Sequence, residues 1–323
     1  MTRIGDTTRQ VVHPAGHDEP LRAAAEDLQL GRWAATRALL ADTWRRWPLW
    51  TVRTQVLASV AAHNDALAHW ASEDPANAGL VTLRARAAVE RALAGGSHAA
   101  GAPAAGKLEL EARRLCLRSA DAFTTDPVPW IGLLALAQLD LTGIREEHRV
   151  PAPDRMLGSG PWGLFAQARR RDRWNREAFH RMIRFWLARG DGAAATLFLE
   201  RYLPRAPQGS PLHAIPLYLQ VERYGRADHK EAIFLQWTDD SRVRTAVLNA
   251  YEHWLKAPGT KGRWPLVDES HLAYGLWVTR RPRQAAEVFE AMRPFVSSQP
   301  WASVSDQPGE LLRRAVRQSY ALG

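Results

Sequence analysis

The feature that most constrains this chain is the apolar periodicity of residues 175–207. Phe179, Met182, Ile183 and Trp186 recur at i, i+3, i+4 and i+7, the spacing of an amphipathic helix. Gly190, Asp191 and Gly192 interrupt the pattern, and Ala195, Leu199 and Tyr202 resume it on one face until Pro204 and Pro207 stop it. The spacing predicts two helices joined by a tight turn. Similar periods follow one another from Leu21 onward, and no alternating apolar–polar run bounded by turn residues predicts a strand. The expected fold class is therefore all-α.

At 323 residues the chain exceeds the size at which one compact core stops growing. Two domains, or a stack in which each helical unit needs only its neighbours, would both satisfy that limit. Residues 1–20 read as a flexible polar tail, and 21–323 as a helical-repeat domain. Two stretches rich in Gly, Pro or charge, 95–106 and 141–160, read as loops, and the second is a candidate boundary between two lobes.

The 175–207 unit spans about 34 residues, the length of a tetratricopeptide repeat. It resembles that family at particular positions: Phe179 and Trp186 in the first helix, Gly190 at the turn, Ala195 where the helices cross, and Pro207 at the close. Trp130, Leu133, Leu134 and Ala137 resemble a first helix after Pro127. Ala285 and Phe289 resemble a second helix, and Gly31, Trp33 and Ala35 mark a weaker unit before Pro48. The resemblance implies an α-solenoid of degenerate tetratricopeptide-like hairpins. The uneven spacing of Pro48, Pro75, Pro127 and Pro207 departs from a strict array. The segments 126–130 and 206–212 are also similar to helical-repeat proteins of GC-rich bacteria, which carry no assigned activity.

Among the 43 basic residues only Lys107, Lys230, Lys256 and Lys261 are lysines, so arginine dominates. With the abundant alanine this fits a GC-rich coding sequence, while the net charge of +9 favours acidic partners. Cys116 is the single cysteine, which excludes an intrachain disulfide and a cysteine zinc site. With no apolar leader and no apolar run long enough to span a bilayer, the expected location is cytoplasmic, without a membrane partner.

No catalytic signature emerges. Residues 158–163 spell a Gly-x-Gly-x-x-Gly pattern, but neither a strand before it nor a free amide at Pro161 supports phosphate binding. Glu177 and His180 form one E-x-x-H; a carboxylate-bridged metal pair needs a second and two further glutamates, so no metal and no cofactor is expected. Arg169, Arg170, Arg171, Arg173 and Arg176 surround Trp174, a pattern compatible with nucleic acid or with helix-end packing. The fourteen tryptophans read mainly as core packing between helices. The resemblance also implies that first helices line a concave groove. Glu177, His180 and Arg184 would then form one polar stripe there, with Arg181 beside it. These four residues are the expected contacts of a non-catalytic scaffold that binds an acidic peptide or protein surface. An enzyme or small-ligand binder on the same frame, and a nucleic-acid-binding protein, are the alternatives.

Overall fold

The computed structural model describes residues 10–98, 103–225, 240–258 and 265–322. Among these residues the chain is helical apart from two short strands and its connections. It divides into two compact units, Glu19–Pro204 and Arg205–Gly323, the latter joined by the described part of Met1–Asp18.

The Glu19–Pro204 unit contains α1 (Glu19–Gln29), α2 (Ala34–Thr43), α3 (Trp47–Ala61), α4 (Ala66–Glu73), α5 (Ala78–His98), α6 (Pro103–Ala122), α7 (Val128–Leu136), α8 (Trp162–Arg171), α9 (Arg176–Ala188) and α10 (Gly192–Tyr202). α5 packs against α3, α6 and α7, and α7 in turn packs against α8 and α9. That central position explains why α7 is apolar on nearly every side, with Ile131, Leu133, Leu134 and Leu136 all buried. The Gly- and Ala-rich stretch expected as a loop over 95–106 is partly helical, α5 reaching His98 and α6 starting at Pro103; residues 99–102 lie outside the described residues. Packing outweighs the poor helix propensity of Gly96, whose α-carbon has Leu139 so close that a Cβ would come within 2.6 Å of Leu139 Cδ2. Residues 141–160 lie within this unit, and its division from the next falls at 204/205.

The second unit contains α11 (Ile215–Gly225), α12 (Ser241–Ala250), a π-helical turn (Tyr251–Leu255), α13 (Leu266–Val278), α14 (Pro282–Met292), α15 (Trp301–Val304) and α16 (Pro308–Leu322). Its core gathers Trp254, Leu272, Leu276, Val288, Phe289 and Trp301. The stretch read as part of a tail contributes here: β1 (Val11–Val12) pairs in parallel with β2 (Phe295–Val296). His17 Nε2 lies 3.0 Å from the Ala291 carbonyl oxygen. Residues 1–9 lie outside the described residues.

Three hairpins repeat one local geometry. In α1–α2, α9–α10 and α13–α14 the first helix ends at a residue with positive φ: Gly31 (79°), Gly190 (75°) and Arg280 (58°). Its amide bonds the carbonyl three residues back, and the next amide bonds the carbonyl five back: Arg32 to Asp27, Asp191 to Trp186, Arg281 to Leu276. This paired closure satisfies helix-end carbonyls and turns the chain through a left-handed residue. Five residues after each turn residue stands a small, fully buried side chain, Thr36, Ala195 or Ala285. Eight and nine residues after it come the apolar pairs Leu39–Leu40, Phe198–Leu199 and Val288–Phe289, all buried. The small position lets the two helices approach, and the apolar pair fills the crevice between them. In the first hairpin the small residue is Thr36, one position later than the Ala35 read from sequence, and its hydroxyl donates to the Ala24 carbonyl.

Candidate functional site

α9 begins at a strong start signal. The Asn175 side chain accepts hydrogen bonds from the amides of Glu177 and Ala178, satisfying two donors that a helix N-terminus leaves open. Its amide nitrogen donates at 2.9 Å to both Thr51 Oγ1 and Asp172 Oδ2, tying the cap to α3 and to the end of α8.

The four residues expected on the α9 stripe separate into two environments. Glu177 is 2% exposed and Arg181 is also buried, whereas His180 and Arg184 are half-buried. Glu177 Oε2 accepts from Arg86 on α5, itself 4% exposed. Its Oε1 accepts from Arg181 Nε at 3.1 Å and Nη2 at 2.9 Å. Arg181 Nη2 also reaches Glu90 Oε1 at 3.5 Å. Burial alone would raise the Glu177 carboxyl, but Arg86 and Arg181 outweigh it and hold it at about 2. Two cations and two anions thus join α9 to α5 without net charge. The stripe that the resemblance implied along a groove is closed at its Glu177 end by the Arg86 side chain of α5. Both oxygens of Glu177 are occupied by guanidinium groups, which leaves the E-x-x-H pair unsuited to a metal ion. Among the described residues no group of three or more His, Cys, Asp or Glu side chains is placed to hold one.

A second buried polar centre had no sequence signal beyond an Asp–Pro step. Asp126 is fully buried and accepts from Trp50 Nε1 (3.1 Å), Thr82 Oγ1 (2.8 Å) and the Val128 amide (2.8 Å). Burial pushes its carboxyl up to about 6, against the pull of those donors. It joins α3 and α5 to the start of α7. Trp44 packs edge-on against Trp47, Trp50 and Phe123; Trp50 is fully buried, while Trp44 and Trp47 are half-buried. Cys116 is buried, and burial pushes its thiol up to about 12, which makes it an inert filler rather than a nucleophile.

The arginine cluster around Trp174 is drawn into aromatic packing. Arg169 lies over the rings of Phe165, Trp174, Phe179 and Tyr202, at 5.0–5.9 Å from their centroids. Arg171 lies over Trp130 at 4.9 Å and donates to the Thr124 carbonyl, and Arg173 lies over Trp174. Arg176 is buried and Arg170 is exposed. Residues 158–163 form a loop that runs into α8: Gly160 donates to the Val150 carbonyl, and Trp162 Nε1 donates to the Gly158 carbonyl.

The second unit has its own buried polar turn at the start of α13, where Asp268, Glu269, Ser270 and His271 are all buried. Tyr218 on α11 donates to Asp268 and stacks on His271 with ring centroids 3.8 Å apart, while Trp301 Nε1 donates to Ser270. These partners lie 31 to 53 residues from α13's first turn in sequence, which is why periodicity alone could not find them.

Among the described residues no helix is long and apolar enough to cross a membrane. A scan against protein-family models gave no match, and searches of curated proteins and of solved structures gave none either.

Proposed function

We propose that this protein is a non-catalytic interaction scaffold, an α-solenoid of degenerate tetratricopeptide-like hairpins that binds an acidic peptide or protein surface. The observation that carries this reading is the recurrence of one turn and one small-residue crossing in α1–α2, α9–α10 and α13–α14. Helical hairpins of this kind bury a continuous core by stacking and leave the faces of their first helices for partners. The net charge of +9 favours an acidic surface and speeds its encounter. On α9 the reading assigns contact to the half-buried His180 and Arg184, and assigns Glu177 and Arg181 to holding the helix on α5.

The test is capture of partners from native lysate at moderate salt with nuclease present, comparing the wild-type chain with Arg184→Glu. The reading expects one acidic protein in near-stoichiometric amount, and its loss from the variant while the variant's thermal unfolding is unchanged. An empty capture, or equal recovery by both chains, counts against it.

A further inference from the structure

α6 packs on α5 and α7 with Ala112, Cys116, Ser119 and Ala120 buried. On its other side Lys107, Glu111, Arg114, Arg118 and Asp121 are exposed, and Leu110 and Leu117 are 57% and 39% exposed beside them. At about 100° per residue, Leu110 and Leu117 share one flank of this outer face, Glu111 and Arg118 share the other, and Arg114 lies between the flanks. Lys107 and Asp121 stand at its two ends, two turns before and after Arg114. Arg114 reaches Glu111 of its own helix at 3.7 Å. Lys107, Arg118 and Asp121 enter no ion pair among the described residues.

The segment after α7 widens the leucine flank. Arg113 stands three residues from Leu110 and four from Leu117, so it borders both on the helix surface. Arg113 pairs with Glu147, and Glu109, one turn earlier, pairs with Arg145 at 2.8 Å, which lays residues 145–147 along that side of α6. Ile144, next to Arg145, is exposed, and so is Leu141. An apolar strip rimmed by charge has the character of an association surface.

The order of charges along the face selects the partner. Opposite signs stand at places equidistant from its centre: Lys107 against Asp121, and Glu111 against Arg118. When a second copy lies antiparallel across the face about a two-fold axis, each flank meets the same flank of the copy. Leu110 then meets the partner's Leu117, Glu111 meets the partner's Arg118, and Lys107 meets the partner's Asp121, each contact occurring twice. The two Arg114 side chains lie nearest the axis, where the pairing of each with Glu111 in its own chain offsets their approach. A uniformly acidic partner would instead set like charge against Glu111 and Asp121. We propose that the outer face of α6 is a dimerisation surface, and that its occupant is a second copy of this chain docked antiparallel through Leu110, Leu117, Glu111 and Arg118. One helix face and its bordering segment make a small interface, so the association should be reversible and of micromolar order. The surface lies within one unit and is independent of the scaffold reading.

Sedimentation velocity of the full chain, from about 1 to about 200 µM, tests it. The weight-average mass of the wild type should climb from one chain toward two and no further, because a two-fold pairing closes on itself. Glu111→Arg and Arg118→Glu each set like charges across the axis and should each weaken the dimer by at least about tenfold. An equimolar mixture of the two variants restores opposite charges at both contacts and should dimerise like the wild type. Both positions are exposed, and rescue in the mixture separates a lost contact from a lost fold. A wild type that stays monomeric, a dimer equally strong in either variant alone, a mixture no heavier than its separate components, or assembly beyond two chains would each overturn the proposal.

Discussion

The hairpins α9–α10 and α13–α14 share a turn and differ in almost everything that makes it. Gly190 and Arg280 occupy the same left-handed position with the same pair of closing hydrogen bonds, yet one is the residue best suited to it and the other carries a full side chain. Ala195 and Ala285 are identical in size and burial. The helices in front of them bury polar groups in different ways, an ion-paired Glu177 in α9 and the Asp268–His271 turn in α13. The hairpin geometry is therefore held by backbone closure and a small crossing residue, and the polar interior of the first helix is free to vary with what packs over it.

The largest effect should come from the polar interior. Glu177→Gln leaves Arg86 as an uncompensated buried cation, and we expect a loss of about 3 kcal/mol or more in urea unfolding of the Glu19–Pro204 unit. A loss under 1 kcal/mol would mean that the ion pair is incidental to holding α9.

The same interior predicts a pH profile. Asp126 is raised from 3.8 to about 6, so its contribution is complete below 3.8 and is lost as pH rises through about 6. Glu177 is lowered from 4.5 to about 2, so its contribution is complete above 4.5 and is lost as pH falls toward 2. The unit should be most stable near pH 4 to 5 on these two groups. The difference between wild type and Asp126→Asn isolates the upper limb, and a difference that does not vary between about pH 4 and pH 7 would contradict it.

Overpacking the crossing comes next. Ala195→Leu and Ala285→Leu should each lower stability by about 1–3 kcal/mol, because both sites are fully buried between two helices. If one variant is tolerated and the other is not, the two crossings are not equivalent. At the turns, Gly190→Ala should cost about 1 kcal/mol from backbone strain alone, since no atom lies within 4 Å of where its Cβ would be.

Much of this was legible in the sequence because it is local. The α9 periodicity, the Gly190 break and the small Ala195 all lie within one stretch of chain, and α9 spans Arg176–Ala188 where the apolar spacing placed it. The Arg280 turn was not visible, because a left-handed arginine has no residue signature. The Arg86–Glu177 pair joins residues 91 apart, so a stripe of Glu177, His180 and Arg184 could only be read as surface while the reach of Arg86 from α5 was unknown. A first helix was expected after Pro127, but nothing local indicated that Trp50 and Thr82 converge on Asp126. The Gly-rich run at 95–106 misled in the opposite direction, since the close approach of Leu139 to Gly96 makes glycine a packing residue there.

The smallest effect is also the most direct measurement, because it reverses sign between the two hairpins. Arg280→Gly removes the strain of a side chain in a left-handed turn, and it should raise stability by roughly 0.5–1 kcal/mol, while Gly190→Ala lowers it. Urea unfolding of both variants beside the wild type tests whether the two hairpins share one turn. Opposite shifts are expected, and a destabilising Arg280→Gly, with Gly190→Ala neutral, would contradict the shared geometry.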